Sequence, residues 1–171
     1  VVARSTGGHG KEPAADTWRE VYGAAAIAAL ELTGLFERVR AKRLTSADQE
    51  KLDAWALQVA RLVPPIVIAI THYSTSHTAF RRLLSAAGTR YGSMPGFDAA
   101  LLRPSGPLDI DQPALIARTQ RLVERMQDTR QVRITTPLGT DLSFSTEGRA
   151  YHGDNGDLAR PGSFSNLPAG E

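Results

Sequence analysis

The sequence contains no cysteine, few aromatic residues and no long run of apolar residues. Without cysteine the chain can form no disulfide, no thiolate nucleophile and no zinc–thiolate site. The apolar stretches are short: Leu62–Ile70 is interrupted by two prolines and is far shorter than the roughly 20 residues that span a bilayer. We therefore expect no membrane partner, and the lack of cysteine fits a reducing compartment such as the cytoplasm.

The sequence also lacks an excess of charge of either sign. Its 20 Lys and Arg residues nearly balance 18 Asp and Glu residues, which leaves a formal net charge of +2, and like charges form no block. Nucleic-acid binders usually present clustered basic residues, so we expect no nucleic-acid partner. The chain has 171 residues, 42% of them apolar, which suits about one packed domain.

Apolar periodicity and helix-start signals predict an alternation of helices and strands. The run Ile66–Ile70 is mostly β-branched and does not alternate, which is typical of a central strand buried on both faces. A helix and a brief strand at Thr89–Tyr91 follow it, so this region predicts a βαβ unit. Residues 131–135 and 141–145 predict a further pair of strands. The predicted helices cover about residues 17–31, 47–61, 77–87 and 111–126, and the first two begin at possible capping boxes formed by Thr17 with Glu20 and by Ser46 with Gln49.

These elements predict an α/β fold with a small, mostly parallel sheet flanked by helices, an added strand pair and a long irregular C-terminal segment. We expect residues 1–145 to form the α/β domain. Residues 146–171 are rich in glycine and have little periodicity. We expect this segment to lead to a missing or separate C-terminal metal-binding part and to pack on it or on another chain.

The loop Thr71–Thr78 is the main candidate for substrate binding. It is rich in hydroxyl groups and directly follows a predicted strand, and α/β folds bind ligands at the carboxyl ends of strands. Together with the start of the next helix, these hydroxyls could hold an anion or a carboxylate. The alternative is that Thr75 or Ser76 simply caps that helix. The candidate substrate-binding residues of this loop are Thr71, Ser74, Ser76 and His77.

Three other segments carry weaker signals. Gly7–Gly8–His9–Gly10 is glycine-rich but lacks the Lys-Ser/Thr ending of a phosphate loop, so it predicts a turn. Asp154-Asn155-Gly156-Asp157 lacks the ligand spacing and the closing Glu of a calcium loop. Glu171 follows Pro168–Ala169–Gly170, where a constrained backbone could present its carboxylate to a divalent metal, although the spacing alone favours a solvated acid.

Three segments in a fixed order carry a family resemblance. The first is Thr71–Thr78 with Arg81 and Arg82, the second is Ile134–Leu142, and the third runs from Gly148 to the signature Asn166-Leu167-Pro168-Ala169-Gly170-Glu171. Together they resemble the thermophilic metallo-aminopeptidase family, which is leucyl aminopeptidase-like and is related to the iron-dependent 2,5-dihydroxypyridine dioxygenases. The segment Gly8–Pro13 adds weaker support.

The resemblance implies a larger protein that uses two divalent metal ions, zinc or cobalt-like, to release N-terminal residues from a peptide or amide substrate. It places Glu171 as a metal ligand and Asn166 among the substrate-binding residues, and it implies that the His and Asp ligands lie beyond residue 171. It also implies a homo- or hetero-oligomer. A dioxygenase-like relative would instead use one iron.

Two other classes of function remain open. Because the sequence begins with Val rather than Met and stops after a loop-like segment, we expect a fragment or one chain of a processed protein. A cut after Glu171 would make this the α chain of an N-terminal-nucleophile amidohydrolase, whose partner chain would begin with Ser, Thr or Cys. The third class is a non-catalytic α/β binding subunit.

Overall fold

The computed structural model describes residues 7–169 and confirms the predicted α/β fold. In residues 7–169 four helices come first, strands and helices then alternate, and three strands come last, with one short 3-10 helix at Ala99–Leu102. The elements are α1 (Ala15–Tyr22), α2 (Ala24–Leu32), α3 (Leu35–Arg40), α4 (Ser46–Gln58), β1 (Ile66–Thr71), α5 (Ala79–Ala86), β2 (Arg90–Pro95), α6 (Gln112–Met126), β3 (Gln131–Thr135), β4 (Asp141–Ser145) and β5 (Phe164–Asn166).

A three-stranded parallel sheet forms the centre of the fold. Its strands lie in the order β1-β2-β5, and its register pairs Ile68 with Gly92 and Gly92 with Ser165. The predicted βαβ unit is therefore present as β1, α5 and β2. The strand β5 was not predicted, because it lies in the segment that the sequence marks as irregular. The predicted strand pair forms the separate antiparallel ribbon β3–β4.

Helices α1 to α5 and one face of the sheet enclose the hydrophobic core. At its centre the Trp18 ring stacks on Tyr22 at 5.2 Å and meets Phe80 edge-on at 5.1 Å. The Tyr22 hydroxyl donates to the Phe80 carbonyl oxygen at 2.7 Å, so its polar end is satisfied inside the core. Tyr91 of β2 reaches the same core from the sheet. This packing fixes the position of α5 against β2.

The prediction that Ile66–Ile70 is a central strand buried on both faces is wrong. Within the described residues β1 pairs only with β2, and alternate side chains are about half exposed, with Ile66 at 49%, Ile68 at 47% and Ile70 at 48%. Ala69, which faces the helices, is 8% exposed. Within residues 7–169 the helices cover only one face of the sheet. On the other face, residues after position 150 approach β2 so closely that a Cβ on Gly92 would lie 3.0 Å from Leu167 and 3.2 Å from Leu158.

Helix boundaries also differ from the predictions. The predicted helix 17–31 is two helices, because Gly23 adopts a φ of 90° that interrupts the hydrogen-bond ladder between α1 and α2. No side-chain cap precedes α1 at Ala14. The capping box of α4 joins Thr45 to Asp48, one residue before the predicted pair.

The last predicted helix, α6, packs lightly on the rest of the chain. Its N-cap Asp111 accepts a hydrogen bond from the Ala114 N–H at 3.1 Å, and Thr119 is its single buried residue. In the neighbouring ribbon β3–β4, Ile134, Leu142 and Phe144 are each more than 40% exposed. Among the helices of residues 7–169, none combines the length and the apolar character needed to cross a membrane.

Candidate functional site at the carboxyl edge of the sheet

The three parallel strands end at the same edge of the sheet, where polar residues from distant parts of the chain meet. β1 ends at Thr71, β2 at Pro95 and β5 at Asn166. The hydroxyl-rich loop between β1 and α5 lies at this edge, which is the position that open α/β sheets use for ligands. We call Ser74, Ser76, Ser93, Asn166 and Asp154 the carboxyl-edge cluster.

Ser76 is at the centre of the cluster. Its Oγ lies 3.0 Å from Ser93 Oγ and 3.1 Å from Asn166 Oδ1, and it accepts a hydrogen bond from Ser74 Oγ at 2.9 Å. Ser76 and Ser93 are almost fully buried, whereas Ser74 and Asn166 are partly exposed. The predicted residues Ser74, Ser76 and Asn166 are therefore brought together, and Ser93 joins them from β2. Sequence analysis missed Ser93 because a serine in a strand carries no signal of its own.

Asp154 holds the Asn166 side chain in place. Its carboxylate accepts from the Asn166 backbone N–H at 3.0 Å, from the Asn166 side-chain amide and from the Ser165 hydroxyl. The Ser165 hydroxyl in turn accepts from the Gly156 N–H at 2.8 Å. Because the Asn166 Nδ2 is bound to Asp154, its Oδ1 is left to face Ser76. Asp154, whose segment lacks the spacing of a calcium loop, is thus bonded to β5.

A second hydroxyl pair lies beneath the cluster. Thr75 Oγ1 and Tyr91 Oη are 2.8 Å apart and both residues are buried. Burial raises the pKa of Tyr91, and the hydrogen bond with Thr75 opposes that shift. The pair fixes the loop to β2 from the core side. Thr75 therefore has a structural role, as does Thr78, which caps α5 by accepting from the Arg81 N–H at 3.2 Å.

Two of the predicted site residues lie apart from the cluster, and one lies outside the described residues. Thr71 Oγ1 donates to the Tyr73 carbonyl oxygen at 2.7 Å, within its own turn. The exposed His77 lines a neighbouring cavity instead. Glu171, the proposed metal ligand, falls beyond residue 169. The described residues contain no group of three or more His, Asp and Glu side chains placed to hold a metal ion.

The start of α5 does bind a carboxylate, and it is one from this chain. The Ala79 N–H donates to Glu12 Oε1 at 2.7 Å and the Phe80 N–H donates to Glu12 Oε2 at 3.1 Å. Burial raises the pKa of Glu12, and these two hydrogen bonds oppose the shift. The same N-terminal segment touches the candidate loop, since His9 Nδ1 accepts from the Ser74 N–H at 3.1 Å. The glycine-rich segment therefore packs beside the cluster and positions Glu12 at the N-terminus of α5.

The fold and this cluster define an α/β protein with a hydroxyl- and amide-lined site at the carboxyl edge of a parallel sheet. Comparisons of the chain with models of protein families, with curated proteins and with solved structures found no match.

Proposed function

We propose that this chain is the N-terminal α/β part of a divalent-metal-dependent aminopeptidase or related amide hydrolase. The observation that carries the proposal is the contact between Ser76 and Asn166, which are 90 positions apart in sequence. They belong to the first and third segments of the family resemblance. Their meeting at the carboxyl edge is what a shared substrate site requires.

The carboxyl-edge cluster suits the recognition of a peptide or amide. A peptide backbone offers N–H donors and carbonyl acceptors, and the hydroxyls of Ser74 and Ser76 can both donate and accept. The Asn166 amide is held rigid by Asp154, so its orientation is set before a substrate arrives. In this proposal Ser74, Ser76 and Asn166 position the substrate, and Thr71 and His77 contribute from the surrounding loop.

In this proposal the metal ions are zinc or cobalt-like, and this chain supplies Glu171 as one ligand. Glu171 follows Asn166 by five residues, and an extended chain reaches at most about 18 Å over that distance. A bound divalent metal would polarise the scissile carbonyl and activate a water molecule. The remaining ligands would come from a C-terminal part or a second chain in a cytoplasmic oligomer.

Chelation and matched substitutions test the proposal. The chain, assembled with the polypeptide that carries the His and Asp ligands, should release N-terminal amino acids from a leucine-amide substrate and lose this activity in EDTA. Glu171→Gln should lower metal content and kcat together. Ser76→Ala should lower kcat/KM about tenfold without changing metal content, since it removes the hydroxyl that holds Ser74 and Asn166 in place for the substrate. Ser46→Ala, an exposed serine of α4, is the matched control.

Three results would overturn the proposal. Full amide hydrolysis in a metal-free, EDTA-treated sample would favour the N-terminal-nucleophile amidohydrolase. Oxygen consumption with a dihydroxylated aromatic ring and one iron would favour the dioxygenase relative. Ligand binding without turnover in the complete assembly would favour a non-catalytic subunit.

A further inference from the structure

A cavity of about 370 Å³ lies on the helical side of the molecule, next to the start of α5. Its lining comes from three places: the N-terminal segment, the α3–α4 region and α5. The charged or polar lining residues are Glu12, Lys42, Gln49, His77, Thr78, Arg81 and Arg82. Its volume is at the lower end of the range for small-molecule sites.

Positive charge exceeds negative charge around this cavity. Lys42, Arg81 and Arg82 line it, and Glu12 is the single carboxylate among its lining residues. Arg82 also pairs with Asp53, which stands outside the lining. Among residues 7–169, these three cations and two carboxylates leave one positive charge in excess at the cavity.

Arg81 is a half-buried cation for which residues 7–169 provide no carboxylate partner. Its Nε donates to the Ser76 carbonyl oxygen at 2.8 Å and its guanidinium lies 4.4 Å from the centre of the Phe164 ring. These two contacts fix the plane of the guanidinium and leave its terminal nitrogens available. A planar guanidinium fork matches the oxygens of a phosphate or carboxylate.

Arg82 adds an unsatisfied donor to the same lining. Its Nη1 bonds to Asp53, while its Nη2 is buried and has no hydrogen-bond partner among the described residues. Buried donors in proteins are normally paired. This nitrogen has almost no accessible surface, so an oxyanion in the cavity would pair with it only after the Arg82 side chain turns toward the cavity.

Lys42 occupies a backbone position that glycine normally fills. It follows α3 with a φ of 54°, and the Arg43 N–H donates to the Arg38 carbonyl oxygen at 2.9 Å, so the turn is a Schellman motif with lysine at its left-handed position. A lysine is strained there, whereas glycine is not. Lys42 forms no ion pair within residues 7–169. Lys42 therefore presents its charge at the cavity, beside the Glu12 carboxylate, on whose pKa it exerts a lowering effect.

We propose that this cavity binds a small oxyanion, a phosphate or carboxylate group, through Lys42, Arg81 and Arg82. The N–H groups at the start of α5 are already bonded to Glu12, so the site depends on these three side chains. The proposal is independent of the metal site and of Glu171.

Titration of inorganic phosphate into the whole chain at constant ionic strength, followed by phosphorus NMR, tests the proposal. We expect saturable binding that weakens about tenfold in Arg81→Gln, since each charged hydrogen-bonding partner removed costs about that factor. Arg40→Gln should leave the affinity unchanged, because Arg40 also lies over a phenylalanine, Phe36, but does not line the cavity.

Lys42→Gly separates binding from folding. Glycine relieves the left-handed backbone, so this variant should keep or raise the melting temperature while it loses about tenfold in phosphate affinity. Lys51→Met, an exposed lysine of α4, should bind like the parent chain. Displacement of phosphate by acetate at similar concentration would assign the carboxylate class, and its failure would assign the phosphate class. A non-saturating response, or equal affinity in Lys42→Gly and Lys51→Met, would overturn the proposal.

Discussion

At the residue scale, polar side chains satisfy backbone groups that lie far away in sequence. Glu12 accepts hydrogen bonds from Ala79 and Phe80, which lie 67 and 68 positions further along the chain. The first N–H groups of a helix have no partner within the helix itself. The N-terminal segment therefore supplies the hydrogen-bond acceptor for the first N–H groups of α5. The loop that holds Ser74 and Ser76 directly precedes this helix.

Glu12→Ala should destabilise the fold by about 1–3 kcal/mol, because it leaves two partly buried N–H groups without an acceptor. Urea unfolding followed by circular dichroism measures the loss. Glu20→Ala, an exposed glutamate of α1, should change stability by less than about 0.5 kcal/mol. Glu12→Gln keeps one acceptor oxygen, so its loss of stability should lie between those of the two alanine variants. Equal stability of the two alanine variants would contradict this role for Glu12.

At the element scale, one carboxylate joins two helices. Asp48 in the first turn of α4 accepts from Arg38 of α3 at 3.0 and 3.1 Å and from the Thr45 N–H at 3.2 Å. These bonds, the Arg38 bond foremost, lower the pKa of Asp48 to about 2. The carboxylate therefore closes the capping box of α4 and sets the position of α3, which contributes to the cavity wall.

The lowered pKa of Asp48 predicts a specific acid dependence. A carboxyl whose folded-state pKa is below its unfolded-state value stabilises the fold above the unfolded value, and this contribution is lost as pH falls toward the folded value. We therefore expect stability to fall between about pH 4 and pH 2. Asp48→Asn should be less stable than the parent at neutral pH and should show a flatter dependence in that window.

Unfolding midpoints measured at several acid pH values check this prediction. Asp53→Asn, which removes another α4 carboxylate that pairs with an arginine, is the comparison variant. If the pH dependence of stability in Asp48→Asn equals that of the parent chain, another group controls the loss of stability in acid.

At the scale of the whole molecule, the segment after residue 145 adds a third strand to the sheet of the described residues. β5 pairs with β2, and Phe164 packs against the helical core while its ring supports Arg81. On the opposite face, Leu158 and Leu167 cover Gly92. The segment after residue 145 thus contributes to both faces of the sheet.

Phe164→Ala should destabilise the fold by about 2–4 kcal/mol, since a partly buried aromatic side chain is removed from the core. Phe144→Ala on the β3–β4 ribbon is the matched control, because Phe144 is 43% exposed, and it should cost less than about 1 kcal/mol. Thermal unfolding of the two variants gives the comparison.

The division at residue 145 remains a prediction, and a truncated chain tests it. A chain of residues 1–145 lacks β5 and the cover over β2, so we expect a lower melting temperature and a broader transition than in the whole chain. An unchanged cooperative transition would show that the first 145 residues form a complete domain.

Some features follow from local patterns and could therefore be predicted from the sequence. The strands Gln131–Thr135 and Asp141–Ser145 and the helix that begins after Asp111 have the boundaries expected from their turns and caps. The βαβ unit around Ile66–Ile70 is also a local pattern. The hydroxyl-rich loop is a candidate site from sequence because it follows a predicted strand.

Contacts between distant residues were decided by the tertiary structure alone. The exposure of Ile68 depends on which face of the sheet the helices cover, and β-branched composition does not carry that information. The pairing of β5 depends on Asp154 and on the position of β2. Ser93 and Glu12 acquire their roles through partners that lie between 17 and 68 positions away. Local sequence sets backbone preference over a few residues, whereas the site forms only when the sheet brings its strand ends together.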